Sequence, residues 1–152
     1  MFDYIIGNPP FVGKQYQTEE QKKDMAKVLY DINGAGVLDY VACWYIKAGQ
    51  YIKNHPKTKT ALVSTNSIAQ GEQTGILWGE LFNKYKVKIH FAQQAFKWLN
   101  EAEGGAAVHC IVIGFGKSNP KEKFLFEYDD IAGEPTRIVV KNINPYLVQG
   151  ND

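Results

Sequence analysis

Two cysteines in a chain of 152 residues are too few for a disulfide scaffold. Cys43 and Cys110 form neither a CxxC pair nor a metal-spaced set, and each sits in an apolar run where a free buried thiol is the usual case. Inert core thiols fit a reducing cytoplasm, the expected location. His55, His90 and His109 share no metal spacing, so no metal site is expected, and His109, inside an apolar run, is expected as a hydrogen-bonded core residue. Charge of one sign is also missing: the formal net charge is +1, which gives no global field for a polyanion. Nucleic acid would have to be held by a local patch or by protein outside this chain. No apolar run approaches membrane-spanning length, and the start lacks the basic region and long apolar stretch of a signal peptide. Internal repeats and low-complexity tracts are absent as well.

What is present is globular composition, with 45% hydrophobic and 13% aromatic residues, enough for one domain with its own core. Residues 1–7 form an almost continuous apolar run, suited to a strand buried on both faces of a parallel sheet. Thr18 with Gln21 makes a capping box and predicts a helix from Glu19 toward Tyr30. "DINGAG", residues 31–36, reads as a turn. Leu38, Val41, Ala42, Tyr45, Ala48 and Ile52 recur at three- and four-residue spacing and predict a second helix, ended by Asn54, His55 and Pro56. A strand is expected at 60–64, a helix at 72–85, and strands at 87–92 and 107–116 joined across "NEAEGGA" with its Gly-Gly turn signal. "KFLFEY" (123–128) and "RIVVKNI" (137–143) close the chain as two further strands. Strand–helix alternation predicts an α/β fold with right-handed crossovers and an antiparallel addition at one edge.

The stretch "FDYIIGNPPF", residues 2–11, carries the most chemistry. Ligands of parallel α/β sheets gather beyond the carboxyl ends of the strands, where Asn8 to Phe11 fall. Each proline fixes its own φ and pushes the residue before it to extended backbone, so the carbonyls of Asn8 and Pro9 point in set directions. Pro9 and Pro10 bring no N–H to compete, the Asn8 side chain adds an acceptor oxygen, and Phe11 adds a flat apolar face. Such a set suits a planar amine: two acceptors take its hydrogens while the ring stacks on the heterocycle. That localises the nitrogen lone pair through preorganised dipoles, without a strong base. The alternative is a plain strand-ending turn, which the same residue types also favour.

"FDYIIGNPPF" resembles motif IV, the (Asn/Asp/Ser)-Pro-Pro-(Tyr/Phe) signature of amino-group methyltransferases that use S-adenosylmethionine, and Asn in first place is similar to the adenine-specific DNA branch. "LDYVACWYIKAGQYI", "ALVSTNSIAQGEQ", "FKWLNEAEGGAAVHCIVIGF" and the tail "KNINPYLVQG" extend the likeness to about Gly150. Together they resemble the MmeI-like group of type II restriction–modification enzymes, which fuse methyltransferase, endonuclease and target recognition in one polypeptide. The resemblance implies the C-terminal half of a Rossmann-like methyltransferase fold, a mixed sheet with an antiparallel strand near one edge. It implies Asn8, Pro9, Pro10 and Phe11 as catalytic residues acting on an adenine flipped from double-stranded DNA. It further implies that Ser64 and Asn66 line the same cleft and that Phe96 and Trp98 lie where the family offers a second aromatic wall, core packing being the alternative. Lys14 and Lys97 could touch DNA phosphates, solvated lysines being the alternative.

One departure from the family pattern bears on the cofactor. The family places a Gly-rich turn and an acidic ribose-binding residue upstream of motif IV, whereas seven residues precede Asn8 here and "NGAG", 33–36, follows no convincing strand. Residues 1–118 are therefore expected to form a catalytic half, inactive alone, and 119–152 a β-rich extension toward an absent target-recognition domain. The first strand would then lack a neighbour on one side, inviting self-association through a bare sheet edge. Methylation of protein glutamine or RNA guanine uses the same amine chemistry and is the rival reading, as is a non-catalytic assembly module.

Overall fold

The computed structural model describes residues 1–98, 108–129 and 133–152. Their strands form one six-stranded sheet, in which β1 (Tyr4–Gly7), β2 (Lys59–Thr65), β3 (Lys88–Trp98), β4 (Val108–Gly116), β5 (Lys123–Glu127) and β6 (Thr136–Val140) run in the order β1-β2-β4-β3-β5-β6. β1 and β2 are parallel, with Gly7 opposite Leu62. β4 is antiparallel to both of its neighbours, β2 and β3. β3 and β5 are again parallel, and β6 closes the far edge antiparallel to β5. The sheet is mixed, as expected, but its second antiparallel element is β4, in the interior. Only the connection 99–107 joins β3 to β4, too little chain for the helical crossover that a parallel pair needs. The Gly-Gly turn expected there lies outside the described residues.

Three helices follow the predicted order: α1 (Glu19–Val28), α2 (Ala42–Asn54) and α3 (Gly71–Asn83). The capping box that starts α1 is present in full, the Thr18 hydroxyl accepting from the Gln21 N–H and the Gln21 side chain accepting from the Thr18 N–H. Leu38, Val41, Ala42, Tyr45, Ala48 and Ile52 are all buried, as their spacing demands. α2 and α3 press this face onto the sheet through an aromatic cluster: Tyr45 stacks on Phe115 at 5.6 Å, and Trp78 meets both edge-on. The Trp78 indole N–H donates to the Ile68 carbonyl at 3.0 Å, so its polar end is satisfied inside the core.

Along β2, Thr60, Leu62 and Ser64 are buried on the core side while Ala61, Val63 and Thr65 on the other side are half-buried. The register places Tyr4 and Ile6 of β1 on that second side, 66% and 81% exposed. β1 ends the strand order, so its outer edge has no partner among the described residues. Its start is pinned from inside the chain: the Phe2 N–H donates to the Tyr51 hydroxyl at 2.9 Å, and the Thr58 hydroxyl to the Phe2 carbonyl at 2.6 Å. No helix among the described residues is long and apolar enough to cross a membrane.

β3 runs well beyond the predicted 87–92. Two register shifts, between Ile89 and Phe91 and between Gln93 and Phe96, interrupt its alternation, which hid its second half from a period-two reading. His109 departs differently. It is exposed, not in the core, although alternation puts it on the face of the buried Ile111, Ile113 and Phe115, because it stands one residue beyond the β2 pairing, which stops at Thr65 and Cys110.

A candidate amine-binding site at the carboxyl edge of the sheet

Because β1, β2 and β3 run in the same direction, their carboxyl ends share one edge of the sheet. Asn8 to Phe11 leave the end of β1, and Asn66–Ala69 follow β2 as a 3-10 turn. Thr65 is in register with Cys110, and Cys110 with Phe96, so the end of β3 stands on the same edge. β5 is parallel to β3 and delivers Tyr128 there as well.

The first stretch combines a fixed base with an open face. Pro9 is buried, Asn8 and Pro10 are exposed, and Phe11 is half-buried with part of its ring on the core. Neither the Asn8 side chain nor the Pro9 carbonyl makes a hydrogen bond among the described residues, although both are acceptors with set directions. Unused acceptors beside a half-open aromatic face are what a planar amine on a ring requires.

The two residues expected from the second loop are placed differently. Asn66 is half-buried at the start of its 3-10 turn. Ser64 is fully buried on the core side of β2, where its hydroxyl donates to the Thr65 carbonyl at 3.1 Å, so it cannot line an open cleft. Strand alternation decides this: Leu62 faces the core, and the residue two on must do the same. Phe96 is half-buried and stacks on Tyr128 at 6.1 Å and 28°. Tyr128 was missed by the sequence reading, since β3 and β5 are paired through a parallel register that no local pattern announces. The bulge just before Phe96 sets its direction. The backbone of Lys97 and Trp98 continues β3, and their side chains lie outside the described residues. Lys14 is exposed at the start of a 3-10 turn, Lys14–Tyr16.

Asp39 was also missed. An acidic residue just before a helix reads as an N-cap, yet α2 is capped at Val41 without a side-chain bond. The Asp39 carboxylate instead reaches both loops of the edge, accepting from the Lys14 N–H at 2.9 Å and from the Ser67 hydroxyl at 2.6 Å. Its partners lie too far away in sequence for spacing to reveal them.

A groove of about 930 Å³ between the Lys14–Gln17 segment, α1 and residues 35–38 contains none of the edge residues in its lining apart from Lys14. The glycine pattern at 33–36 does not fit a cofactor turn: Gly34 has φ of 79° in a loop between α1 and a 3-10 turn, Ala35–Val37, with no strand before it. The described residues thus bring unused acceptors and an aromatic face to one end of the sheet, while residues 33–36 form no glycine turn after a strand.

Comparison with known proteins agrees with this geometry. The family described as MmeI, DNA-methyltransferase domain, matches residues 2–127. DNA methyltransferase A of Bacillus subtilis (strain 168) is 40% identical over 150 residues, covering 98% of this chain and 16% of that protein. The solved structure of the Type IIL restriction–modification enzyme MmeI in complex with DNA superposes with a TM-score of 0.92 at 52% identity, over 98% of this chain and 20% of the solved one. The chain thus spans about a fifth or less of the length of these relatives. The family match over residues 2–127, together with the overlay on a restriction–modification enzyme at 52% identity, leaves one assignment: the chain belongs to the MmeI DNA-methyltransferase domain family.

Proposed function

We propose that this chain supplies the amine-binding half of an adenine-specific DNA methyltransferase whose methyl donor is S-adenosylmethionine. Its work is done inside a longer restriction–modification polypeptide, with the donor pocket contributed by residues outside 1–152 and the chain inactive alone. The observation that carries this reading is the pair of unused acceptors, the Asn8 side chain and the Pro9 carbonyl, set beside the Phe11 ring at the carboxyl end of β1. An adenine flipped from the duplex would give its two amine hydrogens to those acceptors and lay its ring on Phe11. The nitrogen lone pair is then drawn out of the ring system and held in a fixed direction by dipoles that need no reorganisation. Phe96, backed by Tyr128, and Trp98 supply the aromatic wall across the edge, and Asn66 its rim. Lys14 and Lys97 meet the phosphates of double-stranded DNA, and residues 119–152 lead toward target recognition.

The deciding experiment is nucleoside mass spectrometry on DNA exposed to the full-length polypeptide that carries this chain. N6-methyladenine at one fixed motif, lost in Asn8→Ala, is the expected result. N4-methylcytosine would reassign the base, and unmodified DNA would overturn the reading.

The same reading assigns the outer edge of β1 a partner when the chain is alone. Exposed Phe2, Tyr4 and Ile6 beside unpaired backbone favour pairing with a second copy. Light scattering that finds only monomer at high concentration would count against it.

A further inference from the structure

Two loops form the candidate site, and the residues just beyond each of them converge on one carboxylate. We propose that Asp39 is a positioning residue for amine methylation, holding the loop after Phe11 and the loop after β2 in a fixed relation. The inference rests on the reading of Asn8–Phe11 as the amine clamp.

Asp39 Oδ1 accepts from the Lys14 N–H at 2.9 Å, and Oδ2 from the Ser67 hydroxyl at 2.6 Å. Ser67 Oγ also lies 2.8 Å from Thr65 Oγ1. A serine hydroxyl has one proton, and here it is committed to the carboxylate, so Thr65 is the donor in that second pair. The chain of bonds therefore runs Thr65 to Ser67 to Asp39, and from the other side Lys14 to Asp39. Backbone bonds at the same point add to it. The Tyr40 N–H donates to the Val12 carbonyl at 2.9 Å, and the Asp39 N–H to the Gln73 side chain on α3 at 2.9 Å.

These bonds fall on both sides of Gly13, the glycine of the loop. Val12, directly after Phe11, is held by Tyr40, and Lys14 is held by Asp39. Gly13 between them has extended backbone, φ −60° and ψ 149°, with no side chain to restrain it. Pro9 and Pro10 stiffen the segment on the other side, so fixing 12 and 14 fixes the direction in which the Phe11 ring and Asn8 are presented. The helix does not need this carboxylate, because the Asp39 backbone carbonyl, not its side chain, accepts from the Ala42 N–H. A carboxylate is well suited to bridging two donors, because it is acceptor-only and both of its bonds are charge-assisted.

The test is run in the full-length polypeptide carrying this chain, with single-turnover methylation rate, DNA affinity and amide hydrogen exchange as readouts. Asp39→Ala should slow methylation roughly a hundredfold, the scale of a slight misplacement of reacting groups, with DNA affinity unchanged. Asp39→Asn should recover much of the rate, since its oxygen can still accept from Lys14 and its amide can donate to Ser67. Ser67→Ala should slow the reaction less, and the double variant should be no slower than Asp39→Ala, because both break one chain of bonds. Exchange at the Lys14 amide should rise in Asp39→Ala and not in Ser67→Ala. Wild-type rates in Asp39→Ala while Asn8→Ala is dead would overturn the proposal, as would full additivity. If Asp39→Ala fails to fold, Asp39→Asn and Ser67→Ala decide the matter, and wild-type rates in both overturn it. If Asn8→Ala keeps its rate, the amine reading itself has failed and the role of Asp39 falls with it.

Discussion

The Phe91 ring lies across Gly114 on the neighbouring strand, filling the space that a side chain there would need. Gly114 also pairs with Ala61 of β2, so Phe91, Gly114 and Ala61 share the side of the sheet away from the core helices. A methyl group at 114 would strike three ring atoms of Phe91, and strand backbone cannot retreat without breaking the ladder. Gly114→Ala should cost about 1–3 kcal/mol or more. Gly75→Ala, in α3 with nothing near its missing Cβ, should stabilise by about 0.5–1 kcal/mol. Denaturant unfolding of the two variants, compared at equal m-values, checks both signs.

The contrast between those glycines also marks what the sequence could and could not disclose. α2 was legible because Ala42, Tyr45, Ala48 and Ile52 repeat on one face, although Leu38 and Val41 of the same pattern are buried just before the helix begins. α1 was legible from its capping box alone. The second half of β3 was not, because its bulges break alternation and because Gln93 and Gln94 look like loop residues in isolation. In the fold, Gln93 donates to the Tyr128 hydroxyl and Gln94 to the Leu147 carbonyl, partners that belong to the far end of the chain. The site divides the same way. Asn8–Phe11 are contiguous and announce themselves, whereas Asp39 and Tyr128 acquire meaning only through strand order.

His90 makes stability depend on pH. Burial holds its pKa below the ordinary value of 6.5, against the opposing pull of the Ser118 carbonyl, and Lys59 and Lys123 push the same way as burial. The neutral ring donates from Nε2 to that carbonyl at 2.7 Å. A histidine whose folded pKa is depressed binds fewer protons in the folded state than in the unfolded state. Its contribution is thus present above pH 6.5 and is lost as pH falls through 6.5 toward the folded pKa. Thermal unfolding followed from pH 7.5 to pH 5 should show a falling midpoint, and His90→Gln should flatten that fall.

Cys43 and Cys110 should be silent to thiol reagents in the folded chain. Burial pushes the Cys43 thiol up to about 11, aided by the nearby Asp24 carboxylate, and burial raises Cys110 as well. Both side chains are nearly inaccessible. The reactive thiolate is scarce at neutral pH, and what forms cannot be reached. Labelling with an aromatic disulfide at pH 7.5 should be slower than in denaturant by roughly a hundredfold, the population of thiolate and local opening both acting against it. Equal rates would show that the helix layer over Cys43 opens freely.

Replacing Asn8 should separate activity from stability, which a plain turn would not do. Its side chain is exposed and carries no hydrogen bond among the described residues, so Asn8→Ala should shift folding stability by no more than about 0.5 kcal/mol. Loss of one preorganised acceptor at the reacting nitrogen should nevertheless slow methyl transfer by about 10²–10³-fold in the full-length polypeptide. Asn8→Asp keeps an acceptor oxygen in the same place and should fall between the two. Phe11 is different, since its ring also packs on the core. Phe11→Ala should therefore lose both stability and rate, while Phe11→Tyr should keep most of both. If the stretch only ended a strand, the order would reverse: Asn8→Ala would leave the rate intact, and replacing Pro9, the buried member, would unfold the edge. Rates and unfolding midpoints measured on the same five proteins, wild type, N8A, N8D, F11A and F11Y, distinguish a site from a turn.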